Sequence, residues 1–199
     1  TTIDGLTRGV TTREHGHLRT LGAGRLLREI EFGRGPCQTT AIPWGDVATA
    51  YASTGIPNIR VFTPASARTI RRMRLAYALR PLLRLGLIQA LLKNRITRTV
   101  HGPDADTRLR QRMTLWGEVR NADGDWVRGR IETPNGYDIT TWGPVRIAEH
   151  ILGGAHASTG YTTPSLLMGA DFLTQIPDVG RLHLCHGSAA DREPALNPN

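Results

Sequence analysis

The stretch "MTLWGEVRNADGDWVRGRIETPNGYDIT" (residues 113–140) carries the clearest fold signal in this chain. Apolar residues alternate with polar ones on both sides of the turn sequence "NADGD", with Leu115 and Val119 before it and Val127 and Ile131 after it. Alternation at period two is typical of half-buried strands, and a short turn of Asn, Asp and Gly between two such runs predicts a β-hairpin. The stretch therefore predicts two antiparallel strands.

Three more strands are predicted towards the N-terminus. The segment "LLREIEFGRG" (residues 26–35) alternates in the same way and ends in a glycine-rich turn. Shorter apolar runs at residues 38–42 and 58–63 are bounded by prolines and glycines, which mark turns. These runs predict two shorter strands that follow the first.

The other segments have helical spacing. A helix is predicted over residues 44–53, because Gly55 is placed to end it. Ser66 predicts the start of a long arginine-rich helix that Pro81 divides. Two further helices are predicted near the C-terminus, one over residues 142–154 and one over residues 162–177, the latter capped by Thr163 with Pro164 in its first turn.

Hairpins mixed with helices, without a regular βαβ alternation, predict an α+β fold with a mixed, largely antiparallel sheet and helices packed on it. The length of 199 residues suits one domain. We expect this domain over residues 1–186 and a polar, disordered tail over residues 187–199. The opening "TTIDGLTRGV" (residues 1–10) is similar to the last turns of a helix that starts earlier.

The formal charge of +8 comes almost entirely from arginine, since Lys93 is the only lysine. The arginines are spread along the chain, with one dense patch at residues 68–74. Nucleic-acid surfaces usually mix clustered lysine and arginine, so we predict no nucleic-acid partner. The two cysteines, Cys37 and Cys185, form no disulfide framework, which favours a cytoplasmic protein.

Several chemical motifs are excluded or weak. Gly22 and Gly24 in "LGAGRLLREI" lack a third glycine and precede a predicted strand, whereas a dinucleotide-binding loop opens a helix. The segment "HLCH" (residues 183–186) has no partners at zinc-site spacing, so no metal site is predicted. Glu118 and Asp171 could transfer protons, but no base or oxyanion donor is paired with either in the sequence.

The basic segment at residues 68–95 leaves three interpretations open. It can be a partly buried helix with solvated arginines, a subunit or domain interface, or a helix that lies on an anionic membrane surface. Arg80, Pro81 and Arg84 interrupt its apolar run, so it is not a membrane-spanning helix.

Four stretches carry a family resemblance, and together they fall within residues 6–179. They are "AIPWGDVATAYASTGIPNIRVF", "LLRLGLIQALLKNRI", "GPDADTRLRQRMTLWGEVRNADGDWVRGRIETPNGYDIT" and "YTTPSLLMGADFLTQIPDV". They resemble the region that follows the nucleotide-binding half of saccharopine dehydrogenase-like oxidoreductases, a broad bacterial and eukaryotic family. Residues 42–59 and 162–179 are the most specific parts.

The resemblance implies that this chain is the C-terminal portion of an NAD(P)-dependent oxidoreductase. In the family, this portion completes the substrate side of the cleft and contributes to subunit contacts. The implied cofactor is NAD(P), which this chain alone is not expected to bind. The implied partner is an N-terminal Rossmann half or a separate nucleotide-binding subunit, and a homodimer is also possible. A stand-alone binding or dimerisation module is the alternative.

On this resemblance, residues 42–59 form one wall of the substrate cleft. The candidate cleft residues are Trp44, Asp46, Tyr51, Ser53 and Thr54. The structural alternative is that Trp44 and Tyr51 belong to the core, Asp46 opposes the helix dipole, and Ser53 and Thr54 complete the helix end. Relatives often carry His or another large side chain where this chain has Ala52. No catalytic residue is carried over from the family.

Overall fold

The computed structural model describes residues 9–83, 111–154 and 159–189. The chain divides into two compact units, and residues 9–83 belong to the first while the two later ranges belong to the second. Both units combine helices with antiparallel strands, which confirms the predicted α+β class. A single domain over residues 1–186 stays a prediction, because two compact units can fold as one domain or as two.

The first unit contains two small antiparallel sheets. Strands β1 (Val10–Glu14) and β2 (His17–Leu21) form a hairpin. Strands β3 (Leu27–Glu31), β4 (Pro36–Ala41) and β5 (Phe62–Pro64) form a second sheet in the order β3-β4-β5. This hairpin was not predicted from the sequence, and the helix end predicted over residues 1–10 is wrong at Val10, which begins β1. Residues 1–8 lie outside the described residues.

Two of the three strands predicted here are confirmed, and the third is shorter than expected. Ile30, a residue of β3, is buried, as the alternation of that run requires. The strand predicted over residues 58–63 begins only at Phe62, because Ile59 makes no more than an isolated bridge to Arg13 of β1.

The helices of this unit begin and end where the sequence signals lie. Helix α1 (Asp46–Thr54) ends at Gly55, whose φ of 67° is left-handed. Helix α2 (Ala67–Ala78) begins after Ser66, whose Oγ accepts a hydrogen bond from the Thr69 amide at 3.2 Å. A break at Leu79 separates α2 from α3 (Arg80–Leu83), which confirms the division predicted at Pro81. The rest of the predicted basic helix lies outside the described residues.

The core of the first unit joins the hairpin, the second sheet and α2. It consists of Val10, Ala23 and Ala41, with Leu26, Phe62, Met73 and Tyr77 packed against them. Val47 of α1 and Ile70 of α2 are also buried. Each helix therefore buries one narrow apolar face and leaves its remaining surface to solvent.

The second unit is built on the predicted hairpin. Strands β6 (Arg112–Arg120) and β7 (Trp126–Pro134) pair so that Leu115 lies opposite Ile131 and Val119 opposite Val127. Strand β8 (His183–Gly187) pairs with the other edge of β7. Gly187 belongs to this strand, so the predicted tail starts too early at that residue. Residues 190–199 lie outside the described residues.

Two helix predictions in this unit need correction. Helix α4 (Gly136–Leu152) begins ahead of the predicted start at Trp142, because the Asn135 side chain accepts hydrogen bonds from the Tyr137 and Asp138 amides. The last predicted helix is two short pieces. Thr163 caps α5 (Pro164–Met168) as expected, and Gly169, with a φ of 91°, separates it from a 3₁₀ helix at Ala170–Gln175.

Candidate functional site

Residues 42–59 fold as a turn, a short helix and a second turn on the surface of the first unit. The Ile42 amide donates to the Val61 carbonyl at 2.9 Å, which joins the first turn to the start of β5. The Gly16 amide donates to the Pro57 carbonyl at 2.9 Å, which joins the second turn to the β1–β2 hairpin. Both ends of α1 are therefore fixed to strands while most of the helix surface faces solvent.

Trp44, Asp46 and Tyr51 all lie at the surface. Trp44 has 57% of its surface exposed and Tyr51 has 38%, so neither is a core residue. Asp46 is exposed in the first turn of α1, where its charge opposes the helix dipole. Within the described part of the chain, no hydrogen bond, ion pair or ring contact joins these three side chains.

Ser53 and Thr54 use their hydroxyl groups inside α1. The Ser53 hydroxyl donates to the Thr49 carbonyl at 3.1 Å, and the Thr54 hydroxyl donates to the Ala50 carbonyl at 2.6 Å. Thr54 Oγ1 also accepts from the Ile56 amide at 3.2 Å, which completes the helix end. These contacts fit the structural alternative for both residues. The aromatic side chains and Asp46 are therefore the stronger candidates for contact with a ligand.

Sequence reasoning missed Arg13, which fixes Tyr51. Arg13 is only 8% exposed, and its guanidinium carbon lies 4.0 Å from the centre of the Tyr51 ring. Its Nε donates to the Val47 carbonyl at 3.0 Å, and its Nη1 donates to the Gly16 carbonyl. An arginine in a polar strand is expected at the surface, so no signal in the sequence pointed to this contact.

A second candidate site lies between α2 and the turn that joins β2 to β3. It is a pocket of about 490 Å³, whose charged lining residues among those that the structure describes are Arg25, Arg74 and Arg80, with no acidic residue among them. The Tyr77 ring forms part of its wall, and the Arg80 guanidinium carbon lies 4.4 Å from the centre of that ring. The geometry combines a cationic rim with an aromatic surface.

Gly22 lines this pocket, and Gly24 lies beside it in the same turn. A Cβ atom at Gly22 would lie 3.2 Å from Arg25 Cδ and 3.2 Å from Tyr77 Cε1. At Gly24, with a φ of +74°, it would lie 3.0 Å from Arg74 Cγ and 3.1 Å from the Ile70 carbonyl oxygen. The two glycines therefore allow α2 to approach the turn closely. They lead into strand β3 and not a helix, in line with the interpretation that they form no dinucleotide-binding loop.

Glu118 and Asp171, the two acids considered for proton transfer, both lie in the second unit. The Glu118 side chain is 6% exposed, and its carboxylate accepts from Arg120 Nε at 2.8 Å and from Arg128 Nε at 2.7 Å. Two such charge-assisted hydrogen bonds make it a structural ion-pair residue. Asp171 is exposed in the first turn of the 3₁₀ helix.

The "HLCH" segment forms β8, whose side chains alternate between the two faces of the sheet. His183 and Cys185 therefore share one face, and His186 lies on the other. Over the described ranges, no three side chains of His, Cys, Asp or Glu come close enough together to hold a metal ion.

Part of one face of the sheet in the second unit is apolar and exposed, while Ile131 and Thr133 on the same face are buried. The alternation of β6 and β7 places Met113, Leu115, Val119 and Val127 on the same face. All four are exposed, and the register of β8 adds the exposed Leu184 to them. This surface is named the apolar sheet face below.

Every helix within residues 9–83, 111–154 and 159–189 is too short or too polar to span a lipid bilayer. No protein-family model matches this chain, and no curated protein matches it.

Proposed function

We propose that this chain is the C-terminal portion of a saccharopine dehydrogenase-like NAD(P)-dependent oxidoreductase and forms the substrate side of its cleft. The observation that supports the proposal is the surface position of residues 42–59, one of the two stretches in which the family resemblance is most specific. Trp44 and Tyr51 are exposed aromatic side chains on a segment whose two ends are tied to strands. A rigid aromatic surface of this kind suits the wall of a ligand cleft.

Hydride transfer on this proposal requires a nucleotide-binding half, supplied by the same polypeptide or by a neighbouring subunit. The turn at Gly22 and Gly24 precedes a strand, and so it offers no helix N-terminus to a dinucleotide pyrophosphate. The proposal places the protein in the cytoplasm, the compartment that its two cysteines favour. It assigns no catalytic residue to this chain.

The test combines a mass with a binding measurement. The intact mass of the native product in its source cells should exceed that of this chain by the mass of about 130–150 residues, which is the size of one nucleotide-binding domain. If the half is a separate subunit, it should instead copurify with a product of 21.8 kDa. Fluorescence titration of the isolated 199 residues with NADPH should show no binding. Tight NADPH binding by the isolated chain would contradict the proposal.

Trp44 supplies a local readout of the same proposal. Acrylamide should quench Trp44 fluorescence in the isolated chain, where this side chain is 57% exposed. In the product that contains the nucleotide-binding half, quenching should fall because a cleft wall is shielded by the opposite domain and by substrate. The difference in fluorescence between the parent chain and a Trp44→Phe variant separates the Trp44 signal from that of the other three tryptophans. Equal quenching in both forms would argue against a cleft at this surface.

The apolar sheet face favours a second candidate function, a stand-alone dimerisation module without enzymatic activity. Exposed apolar patches of this kind often mark protein interfaces. Sedimentation equilibrium should then show a dimer, and Val119→Glu should dissociate it because the new charge would be buried. His183→Glu is the matched control, since His183 is exposed on the opposite face of the same sheet. A monomer at all concentrations would exclude this candidate.

The third candidate function uses the basic segment as a binder of anionic surfaces. Its described part, α2, carries Arg68, Arg71 and Arg72 at exposed positions. Binding to vesicles that contain anionic lipid should then weaken steeply with added salt. Salt-independent binding, or no binding at low salt, would remove this candidate.

A further inference from the structure

We propose that the pocket lined by Arg25, Arg74, Arg80 and Tyr77 binds a small molecule that carries two negative charges on a phosphate monoester or a dicarboxylate. The inference does not depend on the proposed function, because it uses only the geometry and charge of this pocket. Its volume of about 490 Å³ falls within the range of small-molecule sites, about 300–1,000 Å³.

The charge of the pocket is the first observation. Three guanidinium groups line one pocket, and none of its lining residues in the described ranges carries a carboxylate. Within the described part of the chain, none of the three arginines forms a salt bridge. The three positive charges repel each other across the pocket. A dianion bound between them would be attracted by each guanidinium and would offset that repulsion. The expected ligand is therefore a multiply charged anion.

The second observation is how the three side chains are held. Arg74 donates its Nε to the Gly24 carbonyl at 2.8 Å, which leaves both terminal nitrogens available to a ligand. The Arg25 side chain lies over Gly22, and Arg80 stacks on the Tyr77 ring. A guanidinium held in place before binding loses less conformational entropy when the ligand arrives. The paired N–H groups of arginine also match the oxygens of a phosphate or a carboxylate.

The third observation indicates the chemistry of the part of the ligand that does not carry the charge. Tyr77, Ala78 and Pro81 give the pocket an apolar side next to its cationic rim. A ligand that joins its anionic group to a flat or apolar moiety would use both surfaces. This recognition by side chains differs from that of glycine-rich phosphate loops, in which backbone amides at a helix N-terminus bind the anion.

Isothermal titration calorimetry on the full chain tests the proposal with two probes, phenyl phosphate and phthalate, at constant ionic strength set with NaCl. Saturable binding of at least one probe is expected, and the preferred probe identifies the source of the charge. Arg25→Gln and Arg80→Gln should each weaken binding about tenfold, as expected for the loss of one charge-assisted contact. Arg72→Gln is the matched control, because Arg72 lies on α2 but does not line the pocket.

An uncharged substitution separates the pocket from the general basic surface. Ala78→Trp fills the cavity without changing the net charge, and it should abolish binding of both probes while Arg72→Gln changes affinity less than twofold. Absence of saturable binding by either probe would overturn the proposal. Equal losses in Arg72→Gln, Arg25→Gln and Arg80→Gln would also overturn it, because they would assign the binding to diffuse surface charge.

Discussion

Arginine side chains have different surroundings in the two units. In the second unit, Arg120 and Arg128 both donate to Glu118, a carboxylate with 6% of its surface exposed. In the first unit, Arg25, Arg74 and Arg80 line one pocket, and none of the described residues that line it is acidic. In the first arrangement, Arg128 of β7 is joined to Glu118 of β6, and Arg120 pairs with Glu118 within β6. The second leaves the charge available to a ligand.

Arg13 shows that the absence of a carboxylate is not enough to identify a binding arginine. It is 8% exposed, and two backbone carbonyls and the Tyr51 ring occupy its guanidinium. A ligand cannot reach a side chain that is enclosed in this way. An arginine prepared for binding therefore combines partial exposure with a free edge, as Arg74 does when only its Nε is bonded.

The largest expected effect comes from Gly24, where the turn beside the arginine pocket meets α2. Gly24→Ala should lower the free energy of unfolding by about 3 kcal/mol, because it adds crowding against Arg74 and Ile70 to the cost of a left-handed alanine. Gly154→Ala is a matched control with the same φ of +74° and no atom within 4 Å of the added Cβ. It should cost about 1 kcal/mol.

Urea denaturation followed by far-UV circular dichroism measures both glycine variants. The difference between them isolates the close approach of α2 to the turn. Equal losses would mean that α2 moves away from the turn without cost, and the contact beside the pocket would then not be rigid.

A smaller effect is expected when the paired arginines of the second unit lose their carboxylate. Glu118→Gln should lower the free energy of unfolding by about 2 kcal/mol, mostly through Arg128, since the more exposed Arg120 is screened by solvent. Glu149→Gln removes an exposed ion pair with Arg146 and should cost less than about 0.5 kcal/mol. Tryptophan fluorescence during urea denaturation follows this unit through Trp116, Trp126 and Trp142. Similar losses in both variants would show that burial adds nothing to the Glu118 pairs.

Local signals explain the parts of the fold that the sequence predicted. The hairpin β6–β7, the caps at Ser66 and Thr163 and the left-handed Gly55 each depend on a few neighbouring residues. Helix α4 was predicted too short, although Asn135 after Pro134 is itself a start signal. The signal was missed because the alternating pattern of β7 was extended past its last residue.

The parts that could not be predicted depend on residues far apart in the sequence. The strand "VTTRE" holds four polar residues that the structure buries or half-buries, so its pattern gave no strand signal. The arginine pocket requires the turn at Gly24 to meet α2 at Arg74, and that contact forms only through tertiary packing. The five cleft candidates were predicted from the family resemblance, and the structure places them at the surface but does not join them into a site.

The smallest expected effect sharpens the comparison most. Arg25→Gln and Arg80→Gln should each leave the free energy of unfolding within about 0.5 kcal/mol of the parent chain, because neither side chain has a carboxylate partner to lose. At low salt the free energy of unfolding should rise slightly, because the substitution removes one of three positive charges that repel each other. Urea denaturation at low and high NaCl measures this directly. A loss above about 1.5 kcal/mol would place these arginines with Arg128, as structural residues of the fold. Unchanged stability together with weakened anion binding is the combination that only a binding arginine produces.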